Sequence, residues 1–320
     1  MNIKLIYSLM KADIDLIEKE LERAVKSHSP ILEEASVHLL KAGGKRIRPV
    51  LLLLGAKFGE YDIHQIKYAA AALELIHMAS LVHDDVIDDA VIRRGEKTVK
   101  AEWDNRIAMY TGDFIFAAAL ECMAQIDDPE AHQILSHTMT ELCIGEIVQI
   151  QDKYRYDQHL RDYLRRIKRK TAILIATSCQ LGAITAGAPA HVHRKLYEFG
   201  YNVGMSFQIT DDILDFTGSE KELGKPAGSD LLQGNITLPV LYAMEQDELR
   251  SRIVDVSAHT DRQDINEIIF LLKQSDAIER SNELSRRYLH RALAILDELP
   301  PGRHQNSLRE IAHFIGRRKY

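Results

Sequence analysis

Two segments of the chain, 68–82 and 203–216, are apolar on almost every side and carry aspartates at or just beyond their carboxyl ends. The first reads YAAAALELIHMASLV, and its polar members are Glu74, His77 and Ser80; the second reads VGMSFQITDDILDF. A helix that is apolar all round belongs inside a bundle, because any face turned to water would expose hydrophobic surface. The two segments therefore predict two central helices that other helices surround.

The rest of the chain repeats hydrophobic residues at helical spacing. Near the amino terminus Ile14, Ile17, Leu21 and Val25 recur with charged residues between them. Further stretches with this periodicity are 31–41, 104–126, 130–151, 158–186, 191–217, 262–273 and 276–298. Alternating runs of the kind that form strands are absent from the sequence, and its eight prolines fall mostly between these stretches. The sequence predicts a single all-α domain, residues 1–320, of ten or more helices.

Composition narrows the class of protein. With 41 basic and 47 acidic residues the net charge is −6, which gives no reason to expect a nucleic-acid partner. The three cysteines show no CxxC spacing, which is typical of reduced thiols in a cytoplasmic protein. The amino terminus has no apolar signal-peptide core. Residues 172–190 carry no charge, but polar residues and glycines interrupt them, so we expect a buried helix and not a membrane span.

Acidic motifs end both central segments. DDVID occupies 84–88 and DDILD occupies 211–215, and each has the spacing DDxxD. The first and last aspartates of a motif are i and i+4, which places their Cβ atoms about 5–6 Å apart on one helix face. The carboxyl end of a helix favours cations, and oxygen ligands suit Mg²⁺. One such motif alone is also typical of a solvated helix end, but two copies on core helices predict a metal site.

Basic residues accompany the acidic motifs. The run GGKRIRP at 43–49 predicts a flexible turn that enters a helix, where glycines let the backbone approach an anion and Lys and Arg bind phosphate oxygens. Alone it is equally typical of a surface turn. Arg93 and Arg94 follow the first acidic motif, and Lys225 lies ten residues after Asp215. Together they indicate a polyanionic ligand beside the metal.

Two uncharged polar residues share the faces of the acidic motifs. His77 lies seven residues, or about two helical turns, before Asp84. Gln208 lies three residues before Asp211. For His77, contact with phosphate and a hydrogen-bonded place in the core remain equally open.

The motifs in this order resemble those of the trans-prenyl diphosphate synthases. They are GGKRIRP, DDxxD followed by RRG, a central KT at 170–171, and FQ-x-x-DDxxD followed by GKP, and the similarity runs from about residue 30 nearly to the end. The resemblance implies an isoprenoid synthase fold and a Mg²⁺-dependent condensation of isopentenyl diphosphate with an allylic diphosphate, farnesyl diphosphate being the expected one. Within the family the chain is most similar to members that make heptaprenyl (C35) diphosphate for a menaquinone side chain. This similarity implies a homodimer, a small component I subunit, and at most peripheral membrane contact through the apolar product.

The resemblance also implies a role for each motif residue. The magnesium ligands would be Asp84, Asp88 and Asp211, supported by Asp85, Asp212 and Asp215. The catalytic set would be Asp84, Asp85, Asp88, Lys170, Asp211 and Asp212. The allylic diphosphate would contact Arg93, Lys170, Thr171, Gln208 and Lys225. Isopentenyl diphosphate would contact Gly44, Lys45, Arg48, His77 and Arg94. The sequence departs from the family at Asn235, where many relatives have lysine, so one phosphate contact is weaker or made differently.

Small side chains precede the first acidic motif and bear on product length. In this family chain length depends on residues just upstream of that motif, and here Ala79 and Ser80 are small. Ile76 and Leu73 continue along the helix, which spans roughly 25 Å from residue 67 to residue 84. We expect these four residues to line a tunnel for the growing chain. Close packing between helices is the alternative explanation for the small side chains.

Other functions remain open at this stage. A sibling enzyme could make an octaprenyl or solanesyl chain. A terpene cyclase would also be helical with an acidic metal motif, but it would not need the run GGKRIRP, since it binds no isopentenyl co-substrate. A non-catalytic, lipid-binding subunit is the alternative from another class, and the intact acidic and basic motifs argue against it.

Overall fold

A computed structural model describes residues 3–219 and 226–316, and the regular secondary structure of these residues is almost entirely helical. The helices are α1 (Ile3–Leu9), α2 (Lys11–Ala24), α3 (Pro30–Lys41), α4 (Ile47–Ala56), α5 (Ile63–Ile87), α6 (Val99–Glu102), α7 (Asn105–Met123), α8 (Pro129–Asp152), α9 (Leu160–Ile167), α10 (Ile173–Thr185), α11 (Ala190–Thr217), α12 (Ser229–Leu232), α13 (Leu238–Ala243), α14 (Asp247–Ile253), α15 (Arg262–Gln274), α16 (Ala277–Asp297) and α17 (Arg303–Gly316). The prediction of an all-α fold with ten or more helices is confirmed.

Local sequence signals account for several helix starts. Pro30 is the first residue of α3, where its missing N–H costs nothing. Asp62 caps α5 by accepting a hydrogen bond from the backbone N–H of His64 at 2.9 Å. Asp104 caps α7 in the same way through the N–H of Ile107 at 2.8 Å.

One predicted helix, 158–186, is divided by a wider turn. Residues Lys168–Ala172 form a π-helical turn between α9 and α10. Such single turns are uncommon and occur often at functional sites. Here the turn contains the KT pair at 170–171 that the sequence analysis singled out.

The chain divides into two compact units. The first comprises Met1–Ser136, Thr177–Tyr197 and Pro300–Leu308, and the second comprises His137–Ala176, Glu198–Leu299 and Arg309–Tyr320. The single-domain organisation stays a prediction.

The first unit is built on α5, which is buried along most of its length, as the apolar segment predicted. It packs against α2, α4 and, most extensively, α7. After α5 the chain forms a short hairpin, in which β1 (Ile92–Arg93) pairs antiparallel with β2 (Glu96–Lys97). Arg94 and Gly95 form its two-residue turn with φ of 55° and 83°, as a type I′ turn requires.

The second unit holds the other central helix, α11. One core cluster of this unit includes Tyr163, Ile167 and Ala172 together with Met205 and Ile209 of α11. Close approach of the helices depends on glycine: a Cβ at Gly204 would lie 2.5 Å from the Cα of Ala172, and one at Gly200 would lie 2.7 Å from the Cα of Ala176.

The uncharged segment 172–190 forms the buried helix α10 and the turn after it, as predicted. Across residues 3–219 and 226–316, no helix combines the length and apolar character that crossing a bilayer needs.

Candidate active site

The predicted phosphate loop in the first unit has an unusual backbone. Gly43 and Gly44 have φ of 74° and 157°, and Arg46, which precedes α4, has φ of 46°. A Cβ at Gly44 would lie 2.7 Å from Nη1 of Arg94. The guanidinium group of Arg94 therefore lies against the glycine, and two residues predicted to contact isopentenyl diphosphate are adjacent.

The three cations of this loop do not share one role. Arg46 is buried and turns inward, where its Nη1 donates to Oε1 of Glu74 at 3.0 Å and its Nε to Oε1 of Glu18 at 2.5 Å. Lys45 is exposed. Arg48 is half-buried, and its Nε is a buried nitrogen for which the described residues provide no hydrogen-bond partner. Arg46 thus stabilises the loop, whereas Lys45 and Arg48 are less buried than Arg46.

Positive charge gathers around His77 on α5. Burial lowers the pKa of His77 well below its usual value, and the nearby guanidinium groups of Arg48, Arg94, Arg93 and Arg46 lower it further. Burial, together with the charge of Arg94, also lowers the pKa of Arg48 to about 10, although Glu74 opposes this shift. Like charges held this close favour an anion between them.

The carboxylates of the first acidic motif differ in burial. Asp85 is 2% exposed, and its Oδ1 accepts a hydrogen bond from Nε of Arg93 at 2.6 Å. Asp84 and Asp88 are half-buried near the carboxyl end of α5. Burial raises the pKa of Asp85, which Arg93 counteracts. Asp84 and Asp88 are therefore the members of this motif that a ligand can approach.

A small open pocket adjoins this motif in the first unit. Its lining includes Leu81 and Asp85 of α5, Arg93 and Arg94 of the hairpin, and His38 of α3. His38 also fixes the hairpin, because its Nε2 lies 2.7 Å from the carbonyl oxygen of Lys97. The pocket places a buried carboxylate and two guanidinium groups around one small space.

The second acidic motif, in the second unit, is built differently. Asp212 is 4% exposed and accepts hydrogen bonds from the hydroxyl of Tyr163 at 2.7 Å and from Nε2 of Gln208 at 2.9 Å. Oε1 of Gln208 in turn accepts a hydrogen bond from Thr171 at 2.6 Å. Burial and the charge of Asp230 raise the pKa of Asp212 to about 7. A continuous chain of hydrogen bonds thus joins the π-helical turn to α11.

The other two aspartates of this motif also differ from each other. Asp215 is buried, and its Oδ2 accepts a hydrogen bond from the backbone N–H of Asp230 at 3.3 Å. Asp211 is half-buried. Asp211 is therefore the member of the second motif that is most accessible to a ligand.

Lys170 projects from the π-helical turn. Its Nζ donates to Oε1 of Gln149 on α8 at 2.8 Å, and Gln149 is itself buried. Asn235, the departure from the family pattern, is half-buried and donates its backbone N–H to the carbonyl oxygen of Asp230 at 2.8 Å. Lys225 lies outside the described residues.

The four predicted tunnel residues do not share one environment. Leu73, Ile76 and Ala79 are 0% exposed, so water-sized space does not reach them in the structure. Ser80 is half-buried, and its hydroxyl donates to the carbonyl oxygen of His77 at 2.9 Å. Ser80 therefore lies at the accessible face of α5, whereas the other three lie in the packed interior, and the tunnel itself stays a prediction.

Sequence reasoning missed the residues that hold the site residues in place. Glu74 is 2% exposed and binds Arg46; as the one carboxylate within the apolar segment 68–82, it carried a signal, since a buried charge needs a partner. Tyr163 and Gln149 act from distant positions in the sequence, and no local pattern marks them.

Comparison with known proteins identifies the chain's family. The sequence profile of the polyprenyl synthetase family matches residues 29–273. The chain belongs to this family. It is 60% identical over 320 residues, covering 100% of both chains, to heptaprenyl diphosphate synthase component 2 of Geobacillus stearothermophilus. A polyprenyl synthetase of this kind is a trans-prenyltransferase that elongates a prenyl chain.

Solved structures agree with this assignment. The polyprenyl synthetase chain matches heptaprenyl diphosphate synthase from Staphylococcus aureus with a TM-score of 0.93 and 43% identity, covering 97% of this chain and 98% of the other. It also matches, with a TM-score of 0.93 and 31% identity over 99% and 98% of the two chains, a Caulobacter crescentus CB15 polyprenyl synthase complexed with calcium and isoprenyl diphosphate. The prediction of an isoprenoid synthase fold is confirmed.

Proposed function

We propose that this polyprenyl synthetase is the catalytic subunit of a heptaprenyl diphosphate synthase. It condenses isopentenyl diphosphate with farnesyl diphosphate and repeats the addition to a C35 all-trans chain, which becomes a menaquinone side chain. Support for this product comes from the 60% identity to component 2 of Geobacillus stearothermophilus and from the 43% identity to the Staphylococcus aureus enzyme. Octaprenyl and solanesyl chains are the competing products.

The observation that carries the proposal is a cluster of guanidinium groups: Arg93 and Arg94 line one small pocket with Asp85, and Arg94 lies against Gly44. Burial lowers the pKa of the half-buried imidazole of His77, and the charges of three arginines, Arg48, Arg94 and Arg93, lower it further. Of these three, Arg93 pairs with Asp85, at a distance of 2.6 Å. A diphosphate supplies the negative charge that the remaining cations favour, and planar guanidinium groups bind phosphate oxygens in pairs.

We assign isopentenyl diphosphate to this group of residues in the first unit. Its contacts are Gly44, Lys45, Arg48, His77 and Arg94. The adjacency of Gly44 and Arg94 supports the assignment, because the missing side chain lets the guanidinium group of Arg94 lie against the backbone of the loop that carries Lys45 and Arg48. The lowered pKa keeps His77 neutral at pH 7, so that its ring can donate one hydrogen bond and accept another.

The allylic diphosphate is assigned to Arg93, Lys170, Thr171, Gln208 and Lys225, with Mg²⁺ bound by Asp84, Asp88 and Asp211. The donor set fits the metal: all three are carboxylates, and each is half-buried and thus approachable. Within the described residues no three Asp, Glu, His or Cys side chains converge on a common metal position. Mg²⁺ takes oxygen ligands and completes its shell with water and substrate phosphate.

The chain's own residues bind and orient the substrates. When bound, Mg²⁺ supplies positive charge that stabilises the departing diphosphate. Arg93 and Lys170 stabilise the same developing charge, and the buried aspartates Asp85 and Asp212 fix Arg93 and Gln208 in place. The allylic C–O bond breaks, the double bond of isopentenyl diphosphate attacks the allyl cation, and a proton is then lost. Burial raises the pKa of the Cys122 thiol to about 12 and also raises that of Cys179, so neither thiol is a nucleophile at neutral pH.

The assembly and location are part of the proposal. The relative named component 2 suggests that a small component 1 subunit completes the enzyme. A homodimer of this chain is supported by exposed hydrophobic side chains on α7, namely Met109, Tyr110 and Leu120. Free cysteines support a cytoplasmic location.

A direct assay tests the function. The purified chain is incubated with farnesyl diphosphate, labelled isopentenyl diphosphate and Mg²⁺, with and without component 1, and the extracted products are separated by chain length. We expect C35 product that depends on Mg²⁺. A C40 or C45 product would reassign the chain to a sibling enzyme. Cyclic hydrocarbon made without consumption of isopentenyl diphosphate, or no product under any of these conditions, would overturn the proposal.

A further inference from the structure

The first two helices contact the phosphate loop, although they precede the residues that match the family profile. That match begins at residue 29, whereas α1 and α2 end before residue 25. We propose that α1 and α2 are a positioning element for the isopentenyl diphosphate site, with Tyr7 and Glu18 as its positioning residues. This inference rests on the proposed function. It adds that the affinity for isopentenyl diphosphate also depends on two residues that do not contact the substrate.

Tyr7 of α1 holds the backbone of the loop. Its hydroxyl donates a hydrogen bond to the carbonyl oxygen of Lys45, the residue that directly follows the two glycines. Burial, and secondarily Glu74, raise the pKa of Tyr7 to about 12, so the hydroxyl remains a donor at neutral pH. Because glycine-rich backbone is flexible, this single bond restricts where Lys45 can place its amino group.

Glu18 of α2 holds the loop from the other side. Its two carboxylate oxygens accept hydrogen bonds from Nε and Nη2 of Arg46 at 2.5 and 3.2 Å. This paired geometry fixes a guanidinium group in orientation as well as position. Arg46 needs such support, since its φ of 46° lies in the left-handed region, which is unfavourable for a residue with a side chain.

Arg46 also links the loop to α5. Its Nη1 donates to the buried Glu74 at 3.0 Å, and Glu74 lies three residues before His77 on the same helix. The loop, α2 and α5 therefore meet at one side chain. A displacement of Glu18 would move Arg46, and with it the neighbouring Lys45 and Arg48.

Other contacts hold α2 in place without touching the loop. The hydroxyl of Tyr61 donates to Oδ2 of Asp13 at 2.6 Å, and Nζ of Lys67 donates to Oε2 of Glu20 at 2.9 Å. The helix is thus a fixed frame from which Glu18 reaches the loop. Tyr61 offers a matched control, because its hydroxyl also donates one hydrogen bond, but to Asp13 of α2 and away from the loop.

The predicted effect is selective for one substrate. Without Tyr7 or Glu18 the loop has to be ordered when isopentenyl diphosphate binds, and the ordering cost lowers its affinity. Once the substrate is bound, the loop has the same conformation, so kcat is unchanged. The affinity for farnesyl diphosphate, which is assigned to other residues, is also unchanged.

The experiment compares three full-length variants, Tyr7→Phe, Glu18→Gln and Tyr61→Phe, with the parent chain. Calorimetric titration with isopentenyl diphosphate and Mg²⁺, without allylic substrate, measures binding without turnover. Steady-state assays with component 1 present give KM for each substrate and kcat. We expect Tyr7→Phe to raise Kd and KM for isopentenyl diphosphate about three- to tenfold, as the loss of one hydrogen bond predicts, and Glu18→Gln to raise them at least as much. Tyr61→Phe should change neither.

Each other outcome has a definite meaning. If the parent chain binds isopentenyl diphosphate and Tyr7→Phe binds it equally well, the positioning role is wrong while the proposed function stands. An equal loss in Tyr61→Phe, or a fall in kcat together with a rise in both KM values, would show a general structural effect and overturn the inference. No binding of isopentenyl diphosphate by the parent chain would overturn the proposed function, and this inference with it.

Discussion

Nε of Arg93 lies 2.6 Å from Oδ1 of Asp85, so the second aspartate of the first acidic motif is held by the protein itself. The second aspartate of the other motif, Asp212, is held likewise by Tyr163 and Gln208. In each DDxxD motif the second aspartate is therefore buried and hydrogen-bonded to the protein, whereas the aspartate directly before it is half-buried. The two adjacent carboxylates of a motif have different tasks.

Removal of an approachable carboxylate should abolish most of the activity. We expect Asp84→Ala to lower kcat by several orders of magnitude, because the proposed metal position loses a ligand. The control is Asp89→Asn, which changes an exposed aspartate of the same region that pairs with Lys100. Initial rates over a series of Mg²⁺ concentrations provide the measurement. Near-normal turnover in Asp84→Ala would contradict the metal assignment.

Loss of the Arg93 partner should affect stability as well as rate. Arg93→Met leaves the buried carboxylate of Asp85 without its charged hydrogen-bond donor, and we expect a loss of about 1–3 kcal/mol in the free energy of unfolding. The double variant with Asp85→Asn should recover part of this loss, because it removes the unpaired charge. Urea unfolding of the parent, the two single variants and the double variant gives a double-mutant cycle for Arg93 and Asp85. Strictly additive effects would show that the two side chains do not interact.

Chain length should respond to Ser80 and not to its neighbour. Ser80→Phe adds a bulky ring at the accessible face of α5, and we expect shorter products while isopentenyl diphosphate is still consumed. Ala79→Phe forces the same ring into a fully buried position, where overpacking lowers stability by about 1–3 kcal/mol. Product chromatography and thermal unfolding distinguish the two effects. Unchanged product length in Ser80→Phe would remove the tunnel assignment.

The glycine beside Arg94 should be intolerant of a methyl group. In Gly44→Ala the new Cβ would lie 2.7 Å from Nη1 of Arg94, so the guanidinium group has to move and KM for isopentenyl diphosphate should rise. Gly187→Ala is the control: it has φ of 66° with no atom within 4 Å of an added Cβ, so it carries backbone strain alone. Steady-state kinetics and thermal unfolding of both variants test this. If KM for isopentenyl diphosphate were the same in Gly44→Ala and in the parent chain, the position of Arg94 beside Gly44 would not matter for binding this substrate.

His77 should make the protein less stable in acid. Burial, and then Arg48 and Arg94, lower its pKa in the folded state, so below about pH 6.5 the unfolded chain binds a proton that the folded chain does not. Stability contributed by neutral His77 is therefore present above that pH and is lost as the pH falls. His77→Gln should flatten the dependence between pH 7.5 and 5.5, measured by urea unfolding without metal. An identical slope in the variant would be evidence against this placement of His77.

The helical architecture could be predicted because hydrophobic spacing is a local property of the sequence. α3, α7, α8, α11, α15 and α16 begin and end within a few residues of the predicted stretches. The hairpin around Arg94 was missed, since two-residue strands leave no alternating pattern and only the Arg-Gly pair signals the turn. The π-helical turn at 168–172 was missed because it depends on packing against Gly204 and Gly145 of other helices.

The residue types of the candidate site could be predicted, but not which of its charged side chains are buried and paired within the protein. Residue spacing placed Asp84 and Asp88 on one helix face, and the family resemblance supplied their roles. The sequence could not show that Asp85 is buried or that Arg46 points away from Lys45 and Arg48. Both orientations depend on partners elsewhere in the sequence, Arg93 for Asp85 and Glu18 for Arg46. The counterion of a buried charge can lie anywhere in the sequence, so it can be identified only from the folded structure.

The wide turn at Lys168–Ala172 has a consequence for how this region tolerates length changes. A turn with one additional residue shifts the angular phase of everything that precedes it by about 100° relative to a uniform α-helix. Rewinding the same residues as a uniform α-helix would rotate Tyr163 and Arg166 away from Asp212 and from the carbonyl oxygen of Ile236, whereas deletion of a single residue from the wide turn would restore regular winding and leave both side chains in phase. The wide turn therefore accommodates one additional residue without changing the direction in which the helices on either side present their side chains, so we expect a gain or loss of one residue to be tolerated here and not in the regular helix on either side.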